Sequence, residues 1–433
     1  MPRSALTRLL AFGPMIYGPT VLFALGEGAV LPLIPVIASA LGGDIATAAI
    51  VSSAVVVGQL CGNLPAGWAV ARVGERWAMV AASVLGMLGV GAVLLAQSLA
   101  VLTVGVFIVG FCAAVFGLAR HAFMTTRVPI ALRARALSLL GGTFRLGMFV
   151  GPFITAALLA VFGTEYASAW FFLVCLAGAG ALVLFGPDPE RSLTEPHDSP
   201  DSVAPATGAG ASEPADSGEP ITTGPVPVAG HRVGIFRTMW QNRTVLSRLG
   251  LAAASLSALR SARQVALPLW GVSIGLDAQT IALVVGLSGA IDFALFYASG
   301  QVMDRFGRLW AALPAMLLMS GAFLALSVTH DGTQPALWYA MFAAMLGVGN
   351  GLSSGILLTL GADVAPRTDP APFLGSWRTL TDAGGAAAPV VLSAVAALAS
   401  LPIAVAVMGA LGLVGAAAFA RWVPRFVPRT RTR

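Results

Sequence analysis

The chain contains no lysine; all 25 of its basic residues are arginine. Charged residues of both signs make up only 10% of it. A soluble domain usually carries about 25%, so a chain this poor in charge is not built to face water on all sides. Cysteine is scarce as well: Cys61, Cys112 and Cys175 are the three present. Each falls inside a long apolar run. An odd number of thiols at such depth argues for inert side chains, against a disulfide framework or a metal centre. There is no Walker loop, no HExxH and no CxxC. Their absence leaves no nucleotide site for ATP-driven pumping by this chain alone, and no constellation for an embedded enzyme or receptor. No cofactor and no metal is expected.

What the chain has is apolar length. It is 57% hydrophobic over 433 residues, with mean hydropathy +0.85. A run of about 20 apolar residues spans a bilayer core of about 30 Å. The runs lack the alternation of barrel strands, so they are read as helices. Twelve spans are predicted: 14–39, 46–70, 77–97, 99–123, 134–162 and 166–186, then 245–275, 278–303, 309–328, 335–362, 372–399 and 401–423. The fold class is an all-α polytopic membrane protein.

Arginine sets the expected orientation. Arg3 and Arg8 precede span 1, and Arg72, Arg76, Arg127, Arg133, Arg135, Arg305, Arg308 and Arg367 follow even-numbered spans. Five more lie between Arg421 and Arg433. The opposite turns carry Asp44, Glu165, Asp277 and Asp331 and no arginine. The positive-inside rule then places both termini in the cytoplasm. Net charge +6 belongs to this topology and to an anionic leaflet, not to nucleic acid. No cleavage site precedes span 1, which is read as an uncleaved anchor.

Residues 187–234 are rich in Pro, Ser, Gly, Asp and Glu. Such a stretch buries too little apolar area to fold and is read as a disordered cytoplasmic linker. Next comes "IFRTMWQNRTVLSRL", with Ile235, Phe236, Met239 and Trp240 against Arg237 and Arg243. That pattern predicts a short interfacial helix leading into span 7. The organisation is thus a six-helix bundle over 1–186, the linker, and a second bundle over 235–433.

One phrase is written twice. "GWAVARVGERW" at 67–77 returns as "GQVMDRFGRLW" at 300–310. Gly67, Arg72, Gly74 and Trp77 recur 233 residues later as Gly300, Arg305, Gly307 and Trp310. Ala71 stands where the second copy has Asp304. "VLPLIP" in span 1 matches "ALPLWG" in span 7 at nearly the same offset, and "GMFVGP" in span 5 matches "GGAAAP" in span 11. Recurrence at three places, at offsets of 233 to 237 residues, predicts two pseudo-symmetric halves around a central cavity.

These motifs carry a resemblance. Over nearly its whole length the chain resembles the major facilitator superfamily, and within it the 12-span drug:proton antiporters. The family's loop motif, G-x-L-x-D-R-x-G-R, is matched by Gly300, Asp304, Arg305, Gly307 and Arg308. The first copy keeps Gly67, Arg72 and Gly74 but has Ala71 and Glu75. Leu25 to Pro35, with Pro32 and Pro35, fits the span 1 motif L-G-x5-P-x-x-P. Gly147, Gly151 and Pro152 fit the opening of the span 5 helix-packing motif, whose closing glycines are here Thr155 and Ala156. The span 4 motif's arginine is replaced by Val106, before Gly110. The resemblance implies alternating access and proton-coupled export of small amphipathic molecules across the cell membrane by a monomer. It also implies that the loop motif is a gate latch, from which Ala71 removes one carboxylate. The plainer reading of Arg76 and Arg308 is topogenic charge alone.

Charge inside a span is costly and marks cavities or pairs. The acids are Glu27, Asp292 and Asp382, and the bases Arg120, Arg145, Arg260, Arg263 and Arg378, with His121 beside Arg120. A carboxylate at such depth is balanced between desolvation, which favours its neutral form, and a nearby guanidinium, which favours its charged form. Glu27, between Gly26 and Gly28, is the leading proton or cationic-substrate site, and Asp292 the second. Repeat alignment sets Glu27 opposite Arg263, and Arg145 opposite Asp382, as expected partners across the cavity. The plainer alternatives are permanent ion pairs, with Asp292 on Arg260 or Arg263 and Asp382 on Arg378 one turn earlier. Trp270, Phe293, Phe296, Tyr297 and Trp377 are candidates for the cavity wall. Five such arginines against three acids leave a second reading open: a facilitator or symporter for an organic anion or metabolite.

Overall fold

The computed structural model describes residues 13–127, 130–186, 240–366 and 370–427. The linker and the first residues of the expected interfacial helix lie outside them, as do the side chains of Tyr297 and Asp304. Among the described residues all regular structure is helical. Eleven stretches are long and apolar enough to cross a membrane. Span 7, Leu251–Ser273, is the exception by apolarity only. At 23 residues and about 1.5 Å per residue it reaches across the core. It is the least apolar because it carries Arg260, Arg263 and Gln264, which turn inward. A turn at Arg243–Val245 and a π-helical turn at Leu246–Gly250 lead into it.

Local sequence explains where helices break. Span 1 is α-helical over Gly13–Val30, 3₁₀ over Leu31–Leu33 and α-helical again over Ile34–Ala40. Pro32 and Pro35 each lack an N–H and crowd the carbonyl four residues back, so the α pattern yields there. Spans 2 and 3 form one run, Ile45–Leu94, interrupted at Gly74 with φ 80° and ψ 165°. Span 8, Ala278–Phe306, and span 9, Arg308–Ser327, meet at Gly307 with φ 92° and ψ 167°. The doubled phrase therefore encodes the same backbone turn twice, in a conformation almost closed to L side chains. Gly67 and Gly300 have no such need: a Cβ at Gly67 would make ordinary contact, and one at Gly300 would meet nothing within 4 Å. We expect Gly74→Ala or Gly307→Ala to cost about 1–3 kcal/mol, read as a lowered thermal midpoint in detergent. An unchanged midpoint would contradict this account of the repeat.

The repeat extends to the opposite face. Asp44 caps span 2 and Asp277 caps span 8, again 233 residues apart. Each carboxylate accepts the backbone N–H three residues on, at 2.8 Å from Thr47 and 2.9 Å from Thr280. Each also accepts that threonine's hydroxyl, at 2.6 Å. Gly42 and Gly275 precede them with φ 83° and 76°. The threonine hydroxyl bonds, then the backbone bonds, hold both carboxyls below the ordinary carboxylate pKa. A group with a lowered native pKa stabilises above its unfolded value of about 4 and loses that contribution as pH falls through the native one. We expect Asp277→Ala to cost about 1 kcal/mol at neutral pH, and the penalty to shrink below pH ~4. A penalty independent of pH would rule out the cap as its cause.

The remaining spans are Leu99–Arg127, Ile130–Phe162, Tyr166–Phe185, Pro335–Leu352 continued by Ile356–Val364, Pro370–Leu398 and Leu401–Phe426. Close packing rests on glycine, as it must where lipid supplies no hydrophobic drive between helices. Gly110 of span 4 lies on the Val55 backbone of span 2, and Gly58 on that of Phe107. A Cβ at Gly151 of span 5 would sit 2.6 Å from the Ala29 nitrogen of span 1. In the second half Gly384 of span 11 lies against Ala254 of span 7.

The halves meet at two seams. Spans 2 and 11 join through Ser53 and Ser393, whose hydroxyls are 2.6 Å apart, and Ser53 also donates to the Pro389 carbonyl at 3.0 Å. Spans 5 and 8 join through Phe149 stacked on Phe293, centroids 5.4 Å apart, and through Phe153 against Gly286. The Ser53–Ser393 seam lies towards the turns that carry Asp44 and Asp277, and the Phe149–Phe293 stack lies near the middle of spans 5 and 8.

A charged cavity between the two halves

Between the halves, and bounded in part by the Phe149–Phe293 stack, lies a cavity of ≈ 270 Å³. Its apolar wall includes Leu31, Met148, Phe149, Leu267, Pro268 and Phe293. Its polar wall is Arg145, Arg260, Arg263, Gln264, Asp292 and Asn350. Asp292 is the hub. Arg145 approaches one oxygen at 2.9 Å, Arg263 the other at 3.6 Å, and the Asn350 amide donates to the latter at 2.6 Å. Arg263 also donates to the Ser288 hydroxyl at 2.9 Å, and that hydroxyl donates to the Ala343 carbonyl. The Nε of Arg263 is buried with no partner. Arg145 lies over the Phe296 ring at 4.9 Å.

Arg260 meets no carboxylate in contact among the described residues. It donates to the carbonyl and the hydroxyl of Ser353. Ser353 sits where span 10 breaks, between Leu352 and Gly355, the latter with φ 76°. The letters Gly351 to Gly355, GLSSG, have the spacing of a nucleophile elbow. No strand precedes them, and the Ser353 hydroxyl is engaged by Arg260 and by the Asn350 carbonyl, so the break serves the arginine.

Glu27 lies apart, inside the first half. It is 2% exposed. One oxygen accepts from the Gln59 amide at 3.5 Å, and the other is buried with no partner. Arg120 of span 4 is near enough for its charge to act on Glu27. It is not within ion-pair contact: its Nε donates to the Phe116 carbonyl, and one Nη is buried without a partner. Val106, at the place of the family's arginine, lines an apolar gap of ≈ 10 Å³ beside Glu27. Span 4 thus supplies its charge from 120 and not from 106.

Two expected pairs are corrected. Glu27 does not face Arg263, and Arg145 does not face Asp382. Arg145 and Arg263 both turn to Asp292, while Asp382 takes Arg378 on its own helix at 3.6 Å. The alignment placed residues at equivalent points of their own halves. Contact is decided by which helices border each other, and span 8 borders spans 5 and 7. Arg378 and Asp382 are 61% and 45% exposed and do not line the cavity. His121 is bonded to the Gly117 carbonyl one turn back. Among the aromatics, Phe293 lines the cavity, whereas Trp270 is buried and Trp377 donates to the Leu357 carbonyl. Cys61, expected inside, is exposed.

In the loop motif, Arg308 pairs with Asp363 at 2.9 Å. Arg76 donates to the carbonyls of Val183, Leu184 and Gly186, closing the end of span 6,. Arg72 lies over Trp68 and Arg305 over Phe306, each at 5.4 Å. Gln59, Ser288, Asn350 and Ser353 were not among the expected site residues. A lone amide in the middle of an apolar span was the signal available for Gln59 and Asn350.

No curated protein sequence matches the chain. Solved structures do match in fold. A POT family peptide transporter, described as auto inhibited, superposes with TM-score 0.69 at 16% identity, over 97% of this chain and 98% of that one. A D-xylose-proton symporter gives 0.65 at 14% identity, over 98% of each. A point mutant of the nucleoside transporter NupG gives 0.66 at 12% identity, over 95% of this chain and 99% of that one. The sequence profile of the Major Facilitator Superfamily matches residues 19–389. Two halves of six helices around a charged cavity, and a profile match across most of the chain, make this protein a transporter belonging to the major facilitator superfamily.

Proposed function

We propose that the protein is a proton-coupled secondary transporter that exports small amphipathic molecules by alternating access, with Glu27 as the proton site. One observation carries this: Glu27 is buried at membrane depth with an oxygen that no group satisfies among the described residues. Such an oxygen is costly while charged and far less so when protonated. Arg120 supports release by favouring the charged form when it draws near. The arginine-bearing loops support an orientation with both termini in the cytoplasm. On that orientation the Ser53–Ser393 seam lies on the outer side, which supports reading the cavity as reached from the cytoplasm.

The test is transport in proteoliposomes with and without an imposed pH gradient, over cationic and anionic solutes. Gradient-dependent transport by the wild type supports the reading; identical rates at both settings refute it. A second reading, a facilitator or symporter for an organic anion, is favoured by three arginines against one aspartate in the cavity. A facilitator would show rates indifferent to the gradient, and a symporter would reverse the sign of the response.

A further inference from the structure

The cavity wall holds three guanidiniums and one carboxylate, a surplus of two positive charges. A guanidinium has five N–H donors, and one aspartate cannot satisfy three of them. The groups are also divided between the halves. Arg145 comes from span 5, whereas Asp292, Arg263, Arg260 and Asn350 come from spans 7, 8 and 10. The 2.9 Å contact of Arg145 with Asp292 is therefore a charged link from one half to the other, beside the Phe149–Phe293 seam. Because it joins the halves, the link is positioned to respond to what occupies the cavity.

We propose that the substrate carries a carboxylate, and that this group takes Arg145 from Asp292. Asp292 is not stranded by the exchange. It keeps Arg263 and Asn350, which hold its other oxygen. The incoming carboxylate meets Arg145 and the flank of Arg260, the two arginines left without an acid. A planar fork binds a carboxylate through two parallel bonds, so the new pair replaces the old one in kind. Phe149, Phe293, Met148 and Leu267 receive the apolar body of the same molecule. A cation meets a surplus of positive charge and is disfavoured. Loading thus removes the ion pair that joins the halves, and the bound molecule becomes the joint. The inference rests on the transport reading above and names the substrate class of that cavity.

The experiment measures equilibrium binding to the purified full chain at one pH with no gradient. Failure here leaves the proton coupling of Glu27 standing, and failure of that coupling leaves this result standing. The probes are 2-naphthoate, its neutral isostere 2-naphthamide, and a naphthyl trimethylammonium cation. Naphthoate is expected to bind at least about tenfold more tightly than either of the others. Asp292→Asn, which frees Arg145 beforehand, is expected to raise the preference for naphthoate over naphthamide about tenfold further. Naphthoate binding no tighter than naphthamide, or a preference not raised in Asp292→Asn, overturns the proposal. If Asp292→Asn does not fold, Arg145→Lys decides. It keeps the charge and loses the fork, so naphthoate is expected to weaken about tenfold with naphthamide unaffected; equal losses for both overturn the proposal.

Discussion

Replacing Glu27 with Gln abolishes transport driven by a pH gradient, to the level of empty vesicles, and leaves solute exchange at equal pH intact. Glutamine keeps the shape and the bond to Gln59 but cannot take up and release a proton. Deleting one partner of a contacting buried ion pair costs about 3–5 kcal/mol. Arg120 and Glu27 are not in contact, and the Nε of Arg120 is already bonded to the Phe116 carbonyl. The loss of stability therefore stays well below that figure, and the variant accumulates as folded protein. Glu27→Asp, which retains a titrating group, keeps part of the gradient-driven rate. Undiminished gradient-driven transport in Glu27→Gln would remove Glu27 from the coupling.

The second large effect is on assembly. Gly151→Val drives a branched side chain into the span 1 backbone, where a Cβ alone would lie 2.6 Å from the Ala29 nitrogen and 2.7 Å from the Leu25 carbonyl oxygen. Backbone cannot rotate away as a side chain can, so spans 1 and 5 must separate. Overpacking of this kind costs about 1–3 kcal/mol, occasionally more, and a contact with main chain on two sides belongs at the upper end. Span 1 carries Glu27 and Gly28, and span 5 carries Arg145 and Phe149, so both the proposed proton site and the cavity lose their positions. Yield of monodisperse protein is expected to collapse. Gly91→Ala in span 3 is the control, since a Cβ there meets nothing within 4 Å, and it is expected to be neutral or slightly stabilising. Normal yield and midpoint for Gly151→Val would show that the contact yields more easily than the packing indicates.

Much of the fold was legible because membrane helices announce themselves by apolar length. The predicted start and end of span 6 at 166–186 stand against Tyr166–Phe185. Span 7 was read from the same apolar length over 245–275, and Arg260 and Arg263 within it read as charges facing a cavity or a partner,. The doubled phrase located two turns before their geometry was visible, since only glycine tolerates φ 80° with ψ 165°,. The caps at Asp44 and Asp277 follow the same 233-residue offset, but an aspartate at a span boundary reads equally as a plain turn charge, so sequence does not mark them as caps.

The candidate site was legible as a list and not as a network. Charges in apolar spans identified Arg145, Arg260, Arg263 and Asp292, which the cavity brings together. They equally identified Arg378 and Asp382, which lie exposed on span 11. Sequence marks a costly charge but not the rotation of its helix about the bundle axis. A residue one position away along a helix points about 100° elsewhere. Asn350 and Gln59 escaped notice because an amide costs less than a charge. Yet one fixes Asp292 at 2.6 Å and the other reaches Glu27 at 3.5 Å.

The central claim is that solute and proton exchange across the same membrane through one protein. The most direct measurement follows the pH inside sealed proteoliposomes that hold the full chain, after 2-naphthoate is added to one side with no gradient imposed. The account predicts that naphthoate movement drives protons the opposite way, that internal pH departs from its starting value, and that Glu27→Gln vesicles show solute movement with no pH change beyond that of protein-free vesicles. Naphthoate movement without any such pH change in the wild type would contradict it.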